Sequence, residues 1–320
     1  MKILVTGSAG FIGMHLAESL LDDGHEVVGF DNFNDYYDVS LKEARNARLE
    51  DRDGFTLIRG DLTNYELLTD NFELHEPQLV CHLAAQAGVR YSLTHPFAYQ
   101  KSNLEGHLNI LEACRRAEIS RLIYASSSSV YGGNKKVPFS EGDPVDSPVS
   151  LYAATKKADE LMSHTYTHLY GLQTVGLRFF TVYGPWGRPD MAYWLFAEAM
   201  LKGEPIKVFN HGKMERDFTY ITDIVSGVKA ALFADGLEPC EVINLGNSNP
   251  ENLMDFIHTI AGALGTEPEM EMLPMQPGDV PITFADVSKA EAKLGYVPKT
   301  PISEGIPEFV EWYKQYHRKG

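Results

Sequence analysis

Short apolar runs alternate with longer amphipathic stretches through the first half of the chain. The runs rich in β-branched residues predict buried strands, whereas apolar residues at every third or fourth position predict helices. The strands are predicted at residues 3–5, 26–30, 55–58, 79–83, 122–125 and 174–177. The helices are predicted at residues 11–21, 65–72, 104–116 and 152–170. This alternation is typical of an α/β fold, a doubly wound parallel sheet with helices on both faces.

The pattern changes after about residue 180, where Pro, Gly and aromatic residues become frequent and the apolar runs shorten. Residues 242–245 still resemble a core strand, and residues 222–233 resemble a helix that packs on the core. We therefore expect a sheet domain and a smaller, discontinuous C-terminal α/β lobe. The sheet domain would comprise residues 1–178 plus about 221–245, and the lobe about 179–220 and 246–320.

An insertion follows the second predicted strand. It spans residues 34–52 and is expected to form a loop and then a helix at 41–50. Ligands of doubly wound sheets bind beyond the carboxyl ends of the strands. Binding and catalytic residues are therefore expected in the segments that follow each strand.

Composition excludes several classes of function. The chain of 320 residues is 44% hydrophobic and 22% charged, as expected for a globular protein. Its formal net charge of -16 argues against nucleic-acid binding, which needs clustered Lys and Arg. No apolar stretch approaches the roughly 20 residues that span a bilayer, and the N-terminus lacks the features of a signal peptide. We expect a cytoplasmic protein with neither a membrane nor a nucleic-acid partner.

The cysteines support the same compartment. The chain has three cysteines, an odd number, and none of them belongs to a CxxC pair: Cys81, Cys114 and Cys240. No spaced histidine cluster accompanies them, so neither a disulfide framework nor a metal site is expected. Reduced thiols are typical of the cytosol.

A glycine-rich turn follows the first predicted strand. Residues 6–13 read TGSAGFIG and lead into the first helix. Glycines there permit a tight turn and close approach of the backbone to a pyrophosphate, although the commonest spacing is GxGxxG. Asp31 ends the second strand, where a carboxylate accepts hydrogen bonds from a ribose and repels a 2′-phosphate, which favours NAD over NADP. Asp61, after the third strand, is placed to meet the adenine amino group.

The predicted cofactor-binding set extends along the ends of all these strands. It consists of Gly7, Gly10, Phe11, Ile12, Gly13, Asp31, Asn32, Asp61, Leu62, Leu83, Ala84, Ala85, Tyr152, Lys156 and Phe179.

The candidate catalytic residues lie after the fifth strand and at the start of the next long helix. Ser126 to Ser129 form a serine run, and Tyr152 and Lys156 are four residues apart, on one helical face. A nearby ammonium and a cationic nicotinamide ring favour the phenolate form of Tyr152. Tyr152 would then take a proton from a sugar hydroxyl as hydride leaves the same carbon. Ser127 would hydrogen-bond that hydroxyl, and Lys156 would also hold the nicotinamide ribose.

This combination of turn, serine run and Tyr-x-x-x-Lys resembles the extended short-chain dehydrogenase/reductase family. The resemblance covers nearly the whole chain. It implies a Rossmann-type domain that binds NAD, tightly held and regenerated in each turnover, and a C-terminal lobe that binds a nucleotide sugar. It also implies a homodimer, which pairs helices at residues 100–117 and 152–170.

The resemblance also narrows the reaction. Dehydratases of the family carry Thr-Asp-Glu where this chain has Ser127, Ser128 and Ser129, and glucuronate decarboxylases carry Glu at the position of Ser129. What remains is oxidation at C4 and return of the hydride to the opposite face. Residues 32–37, 88–92, 149–152, 178–191 and 209–214 resemble UDP-glucuronate 4-epimerases.

The resemblance therefore implies 4-epimerisation of UDP-glucuronate to UDP-galacturonate through a transient 4-keto intermediate. UDP-glucose 4-epimerase and UDP-glucuronate decarboxylase are the alternative enzymes. An NAD-binding redox sensor or scaffold is the alternative without catalysis, because a fold does not establish activity.

A uronate brings a C6 carboxylate, which favours a guanidinium and hydroxyl donors. Arg188, Ser128 and Thr181 would supply them, Arg90 is a second candidate, and Arg216 resembles the family's diphosphate-binding arginine. A 4-keto uronate is a β-keto acid, so this cradle would hold the carboxylate in an orientation that resists loss of carbon dioxide. The predicted substrate-binding set is Arg90, Ser127, Ser128, Thr181, Arg188, Val208, Asn210, Arg216 and Asp279.

Overall fold

Strands and helices alternate from the first residues onward, as the apolar pattern predicts. The structure is a computed structural model and describes residues 1–275 and 281–318. The strands are β1 (Lys2–Thr6), β2 (Glu26–Asp31), β3 (Phe55–Arg59), β4 (Leu79–His82), β5 (Arg121–Ser127), β6 (Gln173–Phe179), β7 (Thr181–Tyr183), β8 (Ile206–Val208), β9 (Glu215–Tyr220), β10 (Cys240–Leu245), β11 (Pro250–Asn252), β12 (Met270–Met272) and β13 (Ile282–Thr283). The helices are α1 (Phe11–Asp22), α2 (Val39–Glu50), α3 (Tyr65–His75), α4 (Tyr91–Thr94), α5 (Pro96–Tyr99), α6 (Gly106–Arg116), α7 (Leu151–Tyr170), α8 (Ala192–Lys202), α9 (Ile221–Phe233), α10 (Leu253–Leu264), α11 (Ser288–Leu294) and α12 (Ile302–Arg318).

The main sheet has the strand order β10-β6-β5-β4-β1-β2-β3 in the described part of the chain. All of its neighbouring strands are parallel. The chain runs outward from β1 to β3 and then crosses to β4 on the other side of β1. A crevice therefore opens beyond the carboxyl ends of β1 and β4, the position at which such sheets bind ligands. The predicted α/β fold of Rossmann type is confirmed.

Successive side chains of β1 enter two separate cores, one on each face of the main sheet. Ile3 and Val5 pack into the cluster that includes residues of α1 and α9, whereas Leu4 packs into the cluster under α3 and α6. All three side chains are at most 2% exposed. Burial of each contributes about 1.5–3 kcal/mol. The continuous apolar runs of the sequence thus reflect strands that are covered on both faces.

The ends of several elements differ from the prediction. Leu83 donates its N–H to the Thr6 carbonyl but lies beyond β4, and Ser126 and Ser127 belong to β5 rather than following it. The helix predicted from residue 104 is preceded by a π-helical turn, Gln100–Glu105, that joins α5 to α6. The insertion helix begins at Val39 because the Asp38 carboxylate accepts from the Ser40 N–H at 2.9 Å.

The second half adds smaller sheets beside the main one. Strand β9 pairs antiparallel with β11 and parallel with β7 and β13, and β8 pairs with β12. Strand β10 returns to the main sheet beside β6. Among the described helices, none combines the length and apolar character that a bilayer crossing requires. The division into two lobes remains a prediction.

Candidate active site

A cavity of about 490 Å³ lies beyond the carboxyl ends of the main-sheet strands. Every residue of the predicted cofactor-binding set lines it. Five members of the predicted substrate-binding set also line it, namely Ser127, Ser128, Thr181, Arg188 and Arg216. The fold therefore brings most of the candidate chemistry together in one place.

Glycines shape the turn between β1 and α1. Gly7 has a φ of +73°, and a Cβ built on it would lie 2.8 Å from the backbone nitrogen of Ala84. A Cβ on Gly13 would lie 2.0 Å from the Gly7 carbonyl oxygen, which also accepts from the Gly10 N–H at 2.9 Å. This close packing leaves no room for a side chain at Gly7 or Gly13. It also leaves the N-terminus of α1 open to the cavity, where free N–H groups and the helix dipole favour an anion.

Asp31 ends β2 with its carboxylate buried. One oxygen accepts from the Ala9 N–H at 3.1 Å and the other from the Phe33 N–H at 2.8 Å. Burial raises the pKa of Asp31, and these two hydrogen bonds with the charges of Lys42 and Arg45 offset part of the rise. Each carboxylate oxygen has a second lone pair for a ligand hydroxyl.

Asp61 follows β3, the neighbour of β2, and lines the same cavity as Asp31. The Asn32 side-chain amide donates to its Oδ2 at 2.7 Å, and the Thr63 hydroxyl and N–H donate to its Oδ1 at 2.7 and 2.9 Å. Partial burial opposes ionisation, yet these hydrogen bonds hold the pKa of Asp61 below its usual value. Asp61 is therefore a fixed acceptor next to Leu62, which also lines the cavity.

The serine, tyrosine and lysine candidates face the same cavity from β5 and α7. Ser127 Oγ accepts from the Ser129 N–H at 3.2 Å and from the Ser129 hydroxyl at 2.9 Å, so its own proton is available to a ligand. Helix α7 starts just before Tyr152, because Ser150 caps it by accepting from the Ala153 N–H. One helical turn then separates Tyr152 from Lys156.

Lys156 has a carboxylate partner that the sequence analysis missed. Its Nζ donates to Asp159 Oδ2 at 3.1 Å and to the Ala125 carbonyl at 3.0 Å, which leaves one N–H for a ligand. Burial raises the pKa of Asp159 to about 7, although Lys156 lowers it. The only signal in the sequence was an acidic residue three positions after the lysine on the same helix.

A buried ion pair supports the floor of the site. Arg178 of β6 donates from Nε and Nη2 to the two oxygens of Glu160 on α7, at 2.8 and 2.9 Å. The Ser126 hydroxyl donates to the same carboxylate at 2.7 Å, and Arg178 Nη1 donates to the Tyr131 hydroxyl at 3.0 Å. Burial raises and Arg178 lowers the pKa of Glu160, which lies below its usual value. These contacts fix α7 against the strand that carries Ser127.

Arg188 also lines the cavity and has a carboxylate partner that the sequence did not indicate. Its Nε and Nη2 donate to the two oxygens of Asp190 at 3.0 and 2.5 Å. The Tyr36 hydroxyl, from the insertion, donates to the same carboxylate at 3.0 Å. Burial opposes ionisation, yet Arg188 holds the pKa of Asp190 below its usual value. One edge of the guanidinium is thus occupied, and its Nη1 side remains for another anion.

Some predicted substrate residues lie elsewhere. Arg90 is exposed, with its guanidinium 5.4 Å from the centre of the Phe209 ring, and does not line the cavity. Val208 is fully buried in β8, and the Asn210 amide donates to the Lys213 carbonyl.

Arg216 does line the cavity and donates to the Glu215 and Pro281 carbonyls. Asp279 lies outside the described residues.

The site residues fall within a region that matches a known family. The profile of the NAD dependent epimerase/dehydratase family matches residues 3–246. The chain belongs to this family. The resemblance inferred from the glycine turn and the Tyr152–Lys156 pair is thereby confirmed.

Members of the epimerase/dehydratase family resemble this chain over its whole length. A probable UDP-glucuronate 4-epimerase from Rhizobium meliloti is 47% identical over 336 residues, which cover 100% of this chain and 98% of that protein. A UDP-glucuronic acid 4-epimerase from Bacillus cereus, solved with UDP-glucuronic acid and NAD, has a TM-score of 0.92 at 36% identity, over 99% of this chain and 100% of that one. A UDP-glucose 4-epimerase from Thermotoga maritima, solved with UDP-glucose, has a TM-score of 0.89 at 31% identity, over the same shares.

Proposed function

We propose that this chain catalyses the NAD-dependent 4-epimerisation of UDP-glucuronate to UDP-galacturonate through a transient 4-keto sugar. The observation that carries the proposal is one cavity that is lined by Ser127, Tyr152 and Lys156 and also by Arg188. The residues that would act on a sugar hydroxyl thus share a cavity with a guanidinium that can bind a carboxylate. The names of the Rhizobium and Bacillus relatives point to the same reaction.

The residues of the first turn fit NAD. The closely packed Gly7 and Gly13 leave backbone N–H groups, rather than side chains, at the N-terminus of α1, as a diphosphate requires. Asp31 would accept from the adenosine ribose and, as an anion, would repel the additional phosphate of NADP. Asp61 and Leu62 would flank the adenine, and Lys156 would hold the second ribose. When bound, the cofactor supplies reversible hydride acceptance at C4 of the sugar.

The chain's own residues would handle the proton. Tyr152 accepts the proton of the C4 hydroxyl, and Ser127, whose oxygen already accepts twice from Ser129, donates to the same sugar oxygen. Lys156 lies one helical turn from Tyr152 and lines the same cavity. After the keto sugar turns its other face to the cofactor, Tyr152 returns the proton to the oxygen. Because the hydride would also return to C4, the net reaction is redox-neutral and consumes no external oxidant or reductant.

The C6 carboxylate would be held by Arg188 with the hydroxyls of Ser128 and Thr181. Loss of carbon dioxide from a 4-keto uronate requires the C5–C6 bond to align with the carbonyl π system. A charge-assisted clamp on the carboxylate keeps that bond out of alignment. Ser129 lies next to Ser127 and has a hydroxyl where the glucuronate decarboxylases have the carboxyl group of a Glu. This difference favours epimerisation over decarboxylation.

Proton NMR of UDP-glucuronate with the purified protein, without added reductant, tests the proposal. We expect UDP-galacturonate to accumulate without release of carbon dioxide. UDP-xylose or a 4-keto-pentose would identify a decarboxylase, and turnover of UDP-glucose alone would identify a UDP-glucose 4-epimerase. No turnover of any nucleotide sugar, with NAD bound, would favour a sensor or scaffold.

We also propose that the protein is a homodimer that pairs α6 and α7 across its axis. Leu108 on α6 and Leu161 and Leu169 on α7 are exposed, which supports an apolar contact between helices. Light scattering coupled to gel filtration checks this, and a monomer at micromolar concentration would contradict it.

We also infer the compartment of the protein and its division into domains. Cys81, Cys114 and Cys240 are free thiols, which supports a reducing compartment such as the cytoplasm. The return of β10 to the main sheet beside β6 supports the division into an NAD-binding domain and a discontinuous sugar-binding lobe. Limited proteolysis checks this division, for which we expect cleavage near residues 179–220 and 246–320 only.

A further inference from the structure

Arg45, on the insertion helix α2, is fully buried and contacts two carbonyls of the segment before Arg188. Its Nε and Nη2 donate to the Trp186 carbonyl at 3.0 and 2.7 Å, and Nη2 also donates to the Gly187 carbonyl at 2.8 Å. The guanidinium therefore fixes the backbone immediately before Arg188, which lines the cavity.

The other side of the same guanidinium reaches the cofactor turn. Nη1 donates to the Ala9 carbonyl at 3.2 Å and to the Tyr37 hydroxyl at 2.6 Å. Ala9 lies between Gly7 and Gly10, so one side chain connects the glycine turn, the insertion and the segment before Arg188. All of its donor groups are used.

Buried arginines are ordinarily paired with carboxylates. Arg45 forms no ion pair with an acidic residue in the described ranges; backbone carbonyls of two distant segments take that place. Arg45 also does not line the cavity, so it would act through other residues rather than on a ligand.

The insertion contacts the same segment a second time. Tyr36 donates to Asp190, and Asp190 holds the Nε and Nη2 edge of Arg188. The backbone before Arg188 and the side chain of Arg188 are thus both held from residues 34–52. Neither contact is made by the main sheet.

We propose that Arg45 is a positioning residue that sets the placement of Arg188, so that the insertion determines the preference of this site for a carboxylate-bearing sugar. The inference rests on the proposed function. Without Arg45, the Trp186 and Gly187 carbonyls lose their anchor, and the Arg188 guanidinium loses its fixed approach to the sugar.

Binding measured in a Tyr152→Phe background, where bound sugar stays unreacted, gives the sharpest test. The quantity is the ratio of the dissociation constants of UDP-glucose and UDP-glucuronate, with the NAD-loaded protein. Arg45→Met is expected to lower this ratio by about tenfold, the size of one lost charge-assisted hydrogen bond, and to leave the affinity for UDP within about twofold. Arg52→Met, an exposed arginine paired with Asp22, is the matched control and should leave the ratio unchanged.

A double-mutant cycle separates positioning from general loosening. In an Arg188→Ala background, Arg45→Met should change the ratio by less than about twofold, because the residue through which it acts is gone. An equal loss of affinity for UDP and UDP-glucuronate would overturn the inference. So would an undiminished effect of Arg45→Met without Arg188.

Arg45→Lys covers the case in which Arg45→Met does not fold. A lysine keeps the charge but cannot reach four acceptors from one nitrogen, so an intermediate ratio is expected. A wild-type ratio in Arg45→Lys would contradict the inference alone. If the otherwise wild-type enzyme does not epimerise UDP-glucuronate, the proposed function itself is wrong.

Discussion

Lys156 and Asp159 form an ion pair inside α7, with Nζ and Oδ2 3.1 Å apart and both side chains at most 3% exposed. Burial raises the pKa of Asp159 to about 7, and Lys156 offsets only part of that rise. Glu160 and the buried rings of His107 and Tyr124 lie close by, and none of them donates to the free Oδ1 of Asp159. The pair holds the ammonium one helical turn from Tyr152.

Asp159→Asn is predicted to lower activity and to make stability fall less at alkaline pH than it does in wild type. The raised pKa means that the folded state favours the protonated carboxyl, so this stability contribution is full below about pH 4 and is lost as the pH rises through about 7. Asparagine does not titrate, so the variant does not lose this contribution. The difference between its free energy of unfolding and that of wild type should therefore shift in favour of the variant between pH 5 and pH 8. Its kcat should fall by about tenfold, because Lys156 loses a charged acceptor. Urea unfolding and steady-state kinetics at both pH values check this; parallel stability curves would contradict it.

His82 makes stability fall on acidification. It is buried beside Thr6, whose hydroxyl lies 2.7 Å from Nδ1, and burial lowers its pKa to about 3. A lowered pKa means that the unfolded chain takes up a proton below about pH 6.5 while the folded state does not. The stability is therefore full above pH 6.5 and is lost as the pH falls toward 3.

His82→Asn isolates this effect. At pH 5 the loss attributable to His82 is about 2 kcal/mol. Urea unfolding gives the free energy of unfolding at pH 7.5 and at pH 5.0. Its decrease between these two pH values should be smaller in the variant than in wild type by about that amount. Equal decreases would mean that His82 is protonated in the folded protein.

Gly13→Ala is predicted to damage the cofactor turn. The added Cβ would lie 2.0 Å from the Gly7 carbonyl oxygen, so the backbone must move and the purified variant should retain little NAD. Gly262→Ala on α10 is the matched control, since no atom lies within 4 Å of its Cβ. The control should gain about 0.5–1 kcal/mol of stability, as alanine does in a helix. Full NAD content in Gly13→Ala, measured by absorbance after denaturation, would rule out the close packing.

Glu160→Gln is predicted to destabilise the protein strongly. Removing one charge of the buried pair with Arg178 leaves an uncompensated guanidinium, at a cost of about 3–5 kcal/mol. Glu43→Gln breaks the exposed pair with Arg59 and should cost less than about 1 kcal/mol. Chemical denaturation of both variants makes the comparison, and equal losses would show that burial does not determine the effect.

Arg188→Ala is predicted to release a decarboxylated product. The carboxylate of the 4-keto intermediate loses its guanidinium and can reach the orientation in which the C5–C6 bond breaks. NMR should detect UDP-4-keto-pentose in excess over wild type, together with a higher KM for UDP-glucuronate. Release no greater than that of wild type would count against the protective cradle.

The sequence predicts the main sheet because its strands are continuous apolar runs separated by helical periodicity. It also predicts which residues follow those strands, and the parallel topology brings them to one edge. The sequence does not predict which side chains from distant segments contact one another. Arg45 lies midway between Leu41 and Leu49, so helical spacing places it on the buried face of α2, but the sequence does not show which acceptors its guanidinium meets.

Motif resemblance does not by itself show which residues line a cavity. Arg90 and Asn210 belong to stretches that resemble related epimerases, yet neither residue lines the cavity. Asp159 and Asp190 are missed because a carboxylate near a cation in sequence is usually a solvated surface pair. Only the fold shows that the Asp159 pair is enclosed and that Asp190 meets Tyr36 from the insertion.

Proton NMR of UDP-glucuronate deuterated at C4 tests the central claim most directly. If the hydride that leaves C4 returns to the opposite face of the same sugar, the product is UDP-galacturonate with deuterium retained at C4 and the carboxylate intact. A proton at C4, or a pentose product, would contradict internal return of the hydride to a protected keto uronate.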